Sequence, residues 1–452
     1  MAPSSASKAT ASPLKQLTEA LESGTFAQVS RMLNGLPSPD IADLLEASPP
    51  KNRAILWRLI DKPREGEVLQ QLSDTVQADF LQGMHTDEVL RTIDGMQADD
   101  IADILQQLPD QVIRNVLNAM DTQNRLRVEK ILPYDEDTAG GLMNIDAVTV
   151  RPNLTLDVVL RYLRRHQRIP EMTDSLYVVN RSDIFLGQLP LAKLLVSDPG
   201  LSVRDVMSSD VEPILDTVPD TEVARLFEKF DWVSAPVVNQ SGQLLGRITI
   251  DDVVDVIRED ADHSLMSMAG LEEDEDTFAP VRKAAPRRAI WLGVNLMAVF
   301  ISANVINLFE DTIQQVVALA ILMPIVASMG GVAGSQTLTL TIRAMALGQI
   351  EKTNLLWLFN RELAVAALNG VLWSLVAAGI AIWWFQDPLL GIVIGAAMVT
   401  SLLVGAAAGV MIPVGLKKLN IDPALAGGMA LTTVTDAVGF FSFLGLATIL
   451  YA

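Results

Sequence analysis

Three hydrophobic patterns follow one another along the chain. Across residues 17–132 apolar side chains recur at i, i+3 and i+4 in units of about a dozen residues that begin on Pro, Ser or Asp, as in Ser38-Pro39-Asp40-Ile41-Ala42-Asp43-Leu44-Leu45 and Ala98-Asp99-Asp100-Ile101-Ala102-Asp103-Ile104-Leu105. Each unit has one apolar stripe that it cannot bury alone, so stacking into a small α-solenoid is expected. Residues 138 to 262 change to short apolar runs between helical stretches, such as Ser175-Leu176-Tyr177-Val178-Val179 and Ala235-Pro236-Val237-Val238, which predicts an α+β region. Beyond residue 285 come five apolar stretches, 289–309, 312–342, 363–386, 388–416 and 423–452. About 20 residues suffice to cross a bilayer, so a five-helix transmembrane domain is expected.

Charge sharpens this division. Residues 1–285 hold 47 Asp and Glu against 27 Lys and Arg, while residues 286–452 hold seven of each, so the whole formal charge of −20 belongs to the N-terminal part. Such a body disfavours nucleic acid, which wants clustered Lys and Arg, and suits metal cations or basic partners. Residues 1–15, rich in Ser, Ala and Pro, read as a disordered tail and not as a signal peptide. The chain has no cysteine, which excludes disulfides, thiolate metal sites and Cys nucleophiles. Three scattered histidines, His85, His166 and His263, argue against an imidazole metal site or a Ser-His-Asp triad. No enzyme is expected. Arg282, Lys283, Arg287 and Arg288 precede the first apolar stretch, Arg343, Lys352 and Arg361 separate the second from the third, and Lys417 and Lys418 the fourth from the fifth. The opposite connections carry only Glu310, Asp311 and Asp387, so the positive-inside rule places the N-terminal body in the cytoplasm and the C-terminus outside.

Within residues 423–452 the one charge is Asp436. An ionised side chain at the bilayer centre costs about 2.5–3.5 kcal/mol on insertion scales. At about 1.5 Å per residue, Asp436 stands roughly 20 Å beyond Asp422, too deep to snorkel. It could be protonated or paired with a base, but no Lys or Arg lies inside the five stretches, so a cation or a proton route is the expected partner. The second stretch contains Pro324-Ile325-Val326-Ala327-Ser328-Met329-Gly330-Gly331-Val332-Ala333-Gly334-Ser335-Gln336. Adjacent glycines there permit either a bent backbone lining a cavity or close helix packing.

The N-terminal body carries two acidic features. Asp99 and Asp103 stand one turn apart on one helix face, where they either share a divalent cation with acids from another domain or favour the helix dipole. Asp252, Asp255, Glu259 and Asp262 fall at i, i+3, i+7 and i+10, with Asp251 and Asp260 beside them and Arg258 opposing. Like charges at that spacing destabilise a helix, so a neutralising partner is expected, a solvated face being the alternative. A further acidic cluster runs from Glu272 to Asp276. The order Asp205-Val206-Met207, Pro213-Ile214-Leu215, Val223-Ala224-Arg225-Leu226-Phe227, Pro236-Val237-Val238 and Gly246-Arg247-Ile248-Thr249-Ile250-Asp251-Asp252 resembles a CBS module, a βαββα unit that works in pairs. Val148-Thr149-Val150, Leu160-Arg161-Tyr162-Leu163 and Gly187-Gln188-Leu189 look like its weaker partner. Thr249 and Asp252 match the Gly-x-x-Thr-x-x-Asp pattern of CBS modules for adenosine and ribose, whereas the first module has Pro190 and Lys193 there. ATP binding and a structural role are both open for that pair.

A helical solenoid, paired CBS modules, an acidic connecting helix and five spans ending in an Asp-bearing helix resemble, in that order, an MgtE-type magnesium transporter over essentially the full length. The most specific matches are Asp135-Glu136-Asp137-Thr138-Ala139-Gly140-Gly141-Leu142-Met143, Gly330-Gly331-Val332-Ala333-Gly334-Ser335-Gln336, Thr341-Ile342-Arg343 and Thr432-Thr433-Val434-Thr435-Asp436. The expected organisation is a tail at 1–15, the solenoid at 16–137, CBS modules at 138–200 and 201–255, a connecting helix and linker at 256–284, and the transmembrane domain at 285–452. The resemblance implies a homodimer in the lipid of the plasma (inner) membrane, with a two-fold pore lined by the second and fifth spans. It assigns Asp436, Thr432, Thr433, Gly330, Gly331 and Gly334 to that pore, and makes Mg2+ both the transported and the regulatory cation. The family's regulatory acids carry over to Asp99, Asp103, Asp231, Asp252, Asp255 and Asp260. Val332 stands where many members carry Asn, and Arg258, His263 and Ser264 stand where acids are usual, which puts the polar lining and the Mg2+ threshold of this chain in question. An H+- or Na+-coupled carrier, a membrane-tethered metal or nucleotide sensor, and the choice among Mg2+, Mn2+ and Co2+ all stay open beside a Mg2+ channel.

Overall fold

The structure is a computed structural model that describes residues 26–166, 169–271, 275–351 and 353–451. The expected tail, Glu272, Glu273 and Asp274 of the acidic cluster, and Lys352 among the flanking charges lie outside the described residues. The chain forms two units, Met1–Ala261 with Asp274–Pro280, and Asp262–Glu273 with Val281–Ala452.

The first unit begins with short helices: α1 (Phe26–Leu33), α2 (Ser38–Glu46), α3 (Pro50–Trp57), α4 (Glu65–Gln70), α5 (Asp74–Leu81), α6 (Thr86–Thr92), α7 (Ala98–Gln106), α8 (Asp110–Ala119) and α9 (Thr122–Ile131). Proline sits in the first turn of α2 and α3, where a missing N–H breaks no bond. Asp121 caps α9 by accepting from the N–H groups of Gln123 and Asn124. Each helix buries one stripe, in α7 Ile101, Ala102, Ile104 and Leu105, and the stripes merge into one core, as the periodicity predicts.

Two βαββα modules follow. The first is β1 (Thr149–Val150), α10 (Leu156–His166), β2 (Ser175–Val179), β3 (Phe185–Pro190) and α11 (Leu191–Val196). After α12 (Val203–Val206), the pattern repeats as β4 (Ile214–Leu215), α13 (Asp220–Phe230), β5 (Ser234–Val238), β6 (Leu244–Thr249) and α14 (Ile250–Met268). In each module the first strand runs parallel to the second and the second antiparallel to the third. The central strands β2 and β5 are buried throughout, which explains their unbroken apolar runs. The acidic helix starts at Ile250, directly on β6, and Val253 and Val256 pack into the core of the second module.

One ion pair ties residues far apart in sequence. Arg53 places Nη1 and Nη2 at 2.9 and 3.1 Å from the Asp276 carboxylate, and its Nε donates to the Leu45 carbonyl at 2.9 Å. The two side chains are only 4% and 11% exposed. A guanidinium is buried here because its fork of donors meets matched acceptors.

The second unit holds α15 (Val281–Asn307), α16 (Glu310–Gln315), α17 (Ala318–Ala346), α18 (Leu355–Phe385), α19 (Pro388–Lys418) and α20 (Pro423–Tyr451). Five of them, all but α16, are long and apolar enough to cross a membrane among the described residues. The second apolar stretch departs from expectation at its start: residues 312–315 belong to α16, and Val316 leaves helical geometry at φ −127°, ψ 81° before α17 begins. The chain stays helical through Gly330 and Gly331 of α17, and these glycines do not unwind it. They allow close approach instead: a Cβ on Gly405 of α19 would lie 2.5 Å from the Gly330 carbonyl oxygen. The third helix starts at Leu355, so Arg361 and Glu362, which hydropathy leaves between spans, lie within it.

Candidate functional site

Asp436 is half-buried on α20 and faces a groove of about 820 Å3 formed with α17. Helical spacing brings Thr432 and Asp436 to one stripe of α20, and Ser328, Gly331, Val332, Ser335, Gln336 and Thr339 to one face of α17. No lining residue is basic. The carboxylate therefore shares the groove with hydroxyls, one carboxamide and the Gly331 backbone, oxygen groups suited to a hydrated divalent cation, set among the apolar Ala327, Val332 and Leu340.

Of the residues expected here, Asp436, Thr432 and Gly331 line the groove. Gly330 and Gly334 do not. Each stands one residue before a lining residue, Gly331 or Ser335, and that step of about 100° turns them toward α19 and α20, where a Cβ on Gly330 would lie 2.1 Å from Ser401 Oγ and one on Gly334 2.8 Å from Leu431. Thr433 lies outside the lining set, and its hydroxyl donates to the Met429 carbonyl at 2.9 Å.

A second concentration of carboxylates lies within the first unit. Burial first, and then the charge of Asp100, pushes the Asp99 carboxyl up to about 7. Burial and then Asp252 push Asp100 up to about 6. Asp103 rises to about 8 through burial, then Glu136, Asp99, Asp100 and Asp252. Asp252 rises to about 7 through burial, then Asp99 and Asp251. Desolvation and like charge thus act together in favour of the neutral forms. Limited hydrogen bonding opposes them: Asn144 Nδ2 donates to Asp99 Oδ1 at 3.3 Å, and Thr249 Oγ1 donates to Asp252 Oδ2 at 3.0 Å.

The structure thus brings together Asp99, Asp103 and Asp252, three of the expected regulatory acids, and adds Asp100 and Glu136, which sequence reasoning missed. Asp100 carries no signal of its own beside Asp99, and Glu136 was quoted only as part of a motif. Asp255 and Asp260 are exposed on α14, and Asp231, exposed in left-handed geometry after α13, is not among the principal charges acting on the buried acids. Among the described residues no three acids or histidines converge as a ready coordination shell. The donor set still fits a cation that keeps most of its water, since buried carboxylates without a base among their principal neighbours are neutralised by a hydrated ion as well as by a bare one.

The comparisons with known proteins agree with this layout. Residues 323–446 match the family model described as MgtE, divalent cation transporter; residues 36–137 match the MgtE intracellular N domain, and residues 203–259 the CBS domain. The chain is 30% identical over 439 residues to the magnesium transporter MgtE of Thermus thermophilus, covering 96% of this chain and 97% of that one. It is 31% identical over 428 residues to the magnesium transporter MgtE of Bacillus subtilis, covering 95% of each. Among solved structures, the cytosolic domain of the Mg2+ channel MgtE in complex with ATP is 32% identical, with a TM-score of 0.48, over 54% of this chain and 99% of that one.

Proposed function

The chain belongs to the MgtE family of divalent cation transporters, and we propose that it passes Mg2+ across a membrane along the groove between α17 and α20, with Asp436 as the ion-binding carboxylate. The observation that carries this reading is the groove itself, where one carboxylate faces polar oxygen donors with no base in reach. Mg2+ dehydrates reluctantly, so a wide path that holds a hydrated ion suits it better than a tight shell. The groove is open along one side and Thr432 is exposed. A second copy facing it across a two-fold axis would close it into a pore and present two Asp436 carboxylates to one ion.

The positive flanks of the spans put the first unit in the cytoplasm and the C-terminus outside. There Asp99, Asp100, Asp103 and Asp252 sense Mg2+: without it their repulsion and the cost of burying their charge disfavour packing of the helical stack on α14, and with it the neutralised acids pack as they do here and shut the path. Asp252 also belongs to the CBS pattern for adenosine and ribose, where its carboxylate accepts from Thr249 Oγ1 at 3.0 Å, so ATP at the CBS pair is proposed beside the cation.

Uptake of Mg2+ into proteoliposomes with and without a membrane potential tests the reading. Flux that follows the potential and is lost in Asp436→Asn supports it. Flux that requires an H+ or Na+ gradient would replace a channel with a coupled carrier, and wild-type flux in Asp436→Asn would remove the groove from the ion path.

A further inference from the structure

Glu362 is a second carboxylate within a membrane helix, and conduction as described above does not use it. It is 6% exposed and sits in α18 two turns from the helix start at Leu355, about 10 Å along its axis. Its two oxygens have different partners. Oε1 takes the guanidinium of Arg361 at 2.5 Å, and Arg361 is half-exposed, so its charge reaches toward the polar end of the helix. Oε2 accepts from Thr337 Oγ1 of α17 at 3.2 Å, and Thr337 is itself 4% exposed.

The position of Thr337 gives this bond its meaning. At about 100° per residue, Thr337 lies roughly half a turn around α17 from the groove residues Ser328, Ser335 and Thr339. Glu362 therefore grips the back of the helix whose front lines the path. The same level is crowded from α19, where a Cβ on Gly409 would come within 2.8 Å of Thr337 Cβ. Close packing at glycine fixes how near α17 approaches, but smooth surfaces of small residues leave rotation about the axis weakly specified. A directional hydrogen bond to a buried, arginine-neutralised carboxylate specifies it.

Resting on the ion path proposed above, we infer that Glu362 is a positioning residue for permeation: through Thr337 it sets the rotation of α17, and so aims Ser335, Gln336 and Thr339 at the ion. Glu362 does not touch the ion. A purely structural link would alter how much folded protein forms and would leave the path's preference among ions unchanged.

The test measures Mg2+ and Mn2+ flux per folded protein in proteoliposomes for the full chain carrying Glu362→Ala, Glu362→Gln, Thr337→Val, Thr337→Ser and the Glu362→Ala/Thr337→Val pair. Glu362→Ala and Thr337→Val are each expected to lower Mg2+ flux several-fold and to shift the Mg2+ to Mn2+ ratio in the same direction. The double variant is expected to be no worse than either single one, as for two ends of one bond. Glu362→Gln, which can still accept from Thr337, and Thr337→Ser, which can still donate, should restore the ratio. Thr337→Val is nearly isosteric, so the test survives if Glu362→Ala fails to fold. Asp436→Asn separates the two claims. Loss of flux there, with wild-type ratios in both Thr337→Val and Glu362→Ala or with additive effects in the pair, overturns the positioning role alone, whereas intact flux in Asp436→Asn overturns the path.

Discussion

The two units solve opposite problems with the same side chain. In the first unit Asp99, Asp100, Asp103 and Asp252 are crowded together, and after burial each is raised by at least one of the others. In the second Asp436 faces its groove alone, half-buried, among hydroxyls and backbone. On the reading proposed above, crowding would make the neutralised state hold tightly and the cation-free state come apart, as a sensor requires. Isolation would leave one modest attraction, enough for an ion to enter and weak enough for it to leave, as a path requires. The number of carboxylates that meet, and not their chemistry, would then separate the two proposed roles.

The comparison breaks most readily at Asp436. Asp436→Asn should lower Mg2+ flux steeply, since it removes the one charge that lines the groove, while detergent-purified protein elutes unchanged. If flux survives, the isolated acid is no ion site and the contrast between the units disappears.

The next largest effect belongs to the crowded acids. Asp99→Asn with Asp252→Asn removes the repulsion that Mg2+ relieves, so protection of residues 257–283 from protease should no longer need Mg2+. Protection that titrates as in the native protein would leave these buried acids with no part in the response to Mg2+.

A smaller effect tests whether burial alone, without crowding, makes a sensor. Arg53→Leu takes the guanidinium away from the buried Asp276 carboxylate, which costs about 3 kcal/mol in comparable pairs. Faster proteolysis of residues 275–280 is expected, with an unchanged Mg2+ midpoint for the rest of the first unit. A shifted midpoint would add this ion pair to the sensing cluster.

The smallest change is expected at Val332, an exposed apolar side chain in the groove. Val332→Asn adds one more oxygen donor beside the ion and should raise Mg2+ flux by less than about threefold. A larger gain would mean that the groove of this chain is limited by its lining more than by Asp436.

The sequence by itself determined the five apolar spans, the lone charge in the last of them, the order of helical stack and βαββα modules, and the family to which that order belongs. Each of these is a local property: a 3.6-residue period, the length of an apolar run, the cost of a charge in hydrocarbon, a motif. Tertiary structure alone decided which residues meet. Gly330 and Gly331 are neighbours in sequence, yet one packs on Ser401 and the other lines the groove, because about 100° of helix separates them. The break at Val316, the burial of Glu362 against Thr337, the pairing of Arg53 with Asp276 and the crowding of Asp100 against Asp252 were likewise hidden. Hydropathy windows blur helix ends, and charge counts carry no information about neighbours a hundred or more residues away. Helix rotation and long-range contact arise from packing the whole core at once, and the sequence expresses them only after that packing is complete.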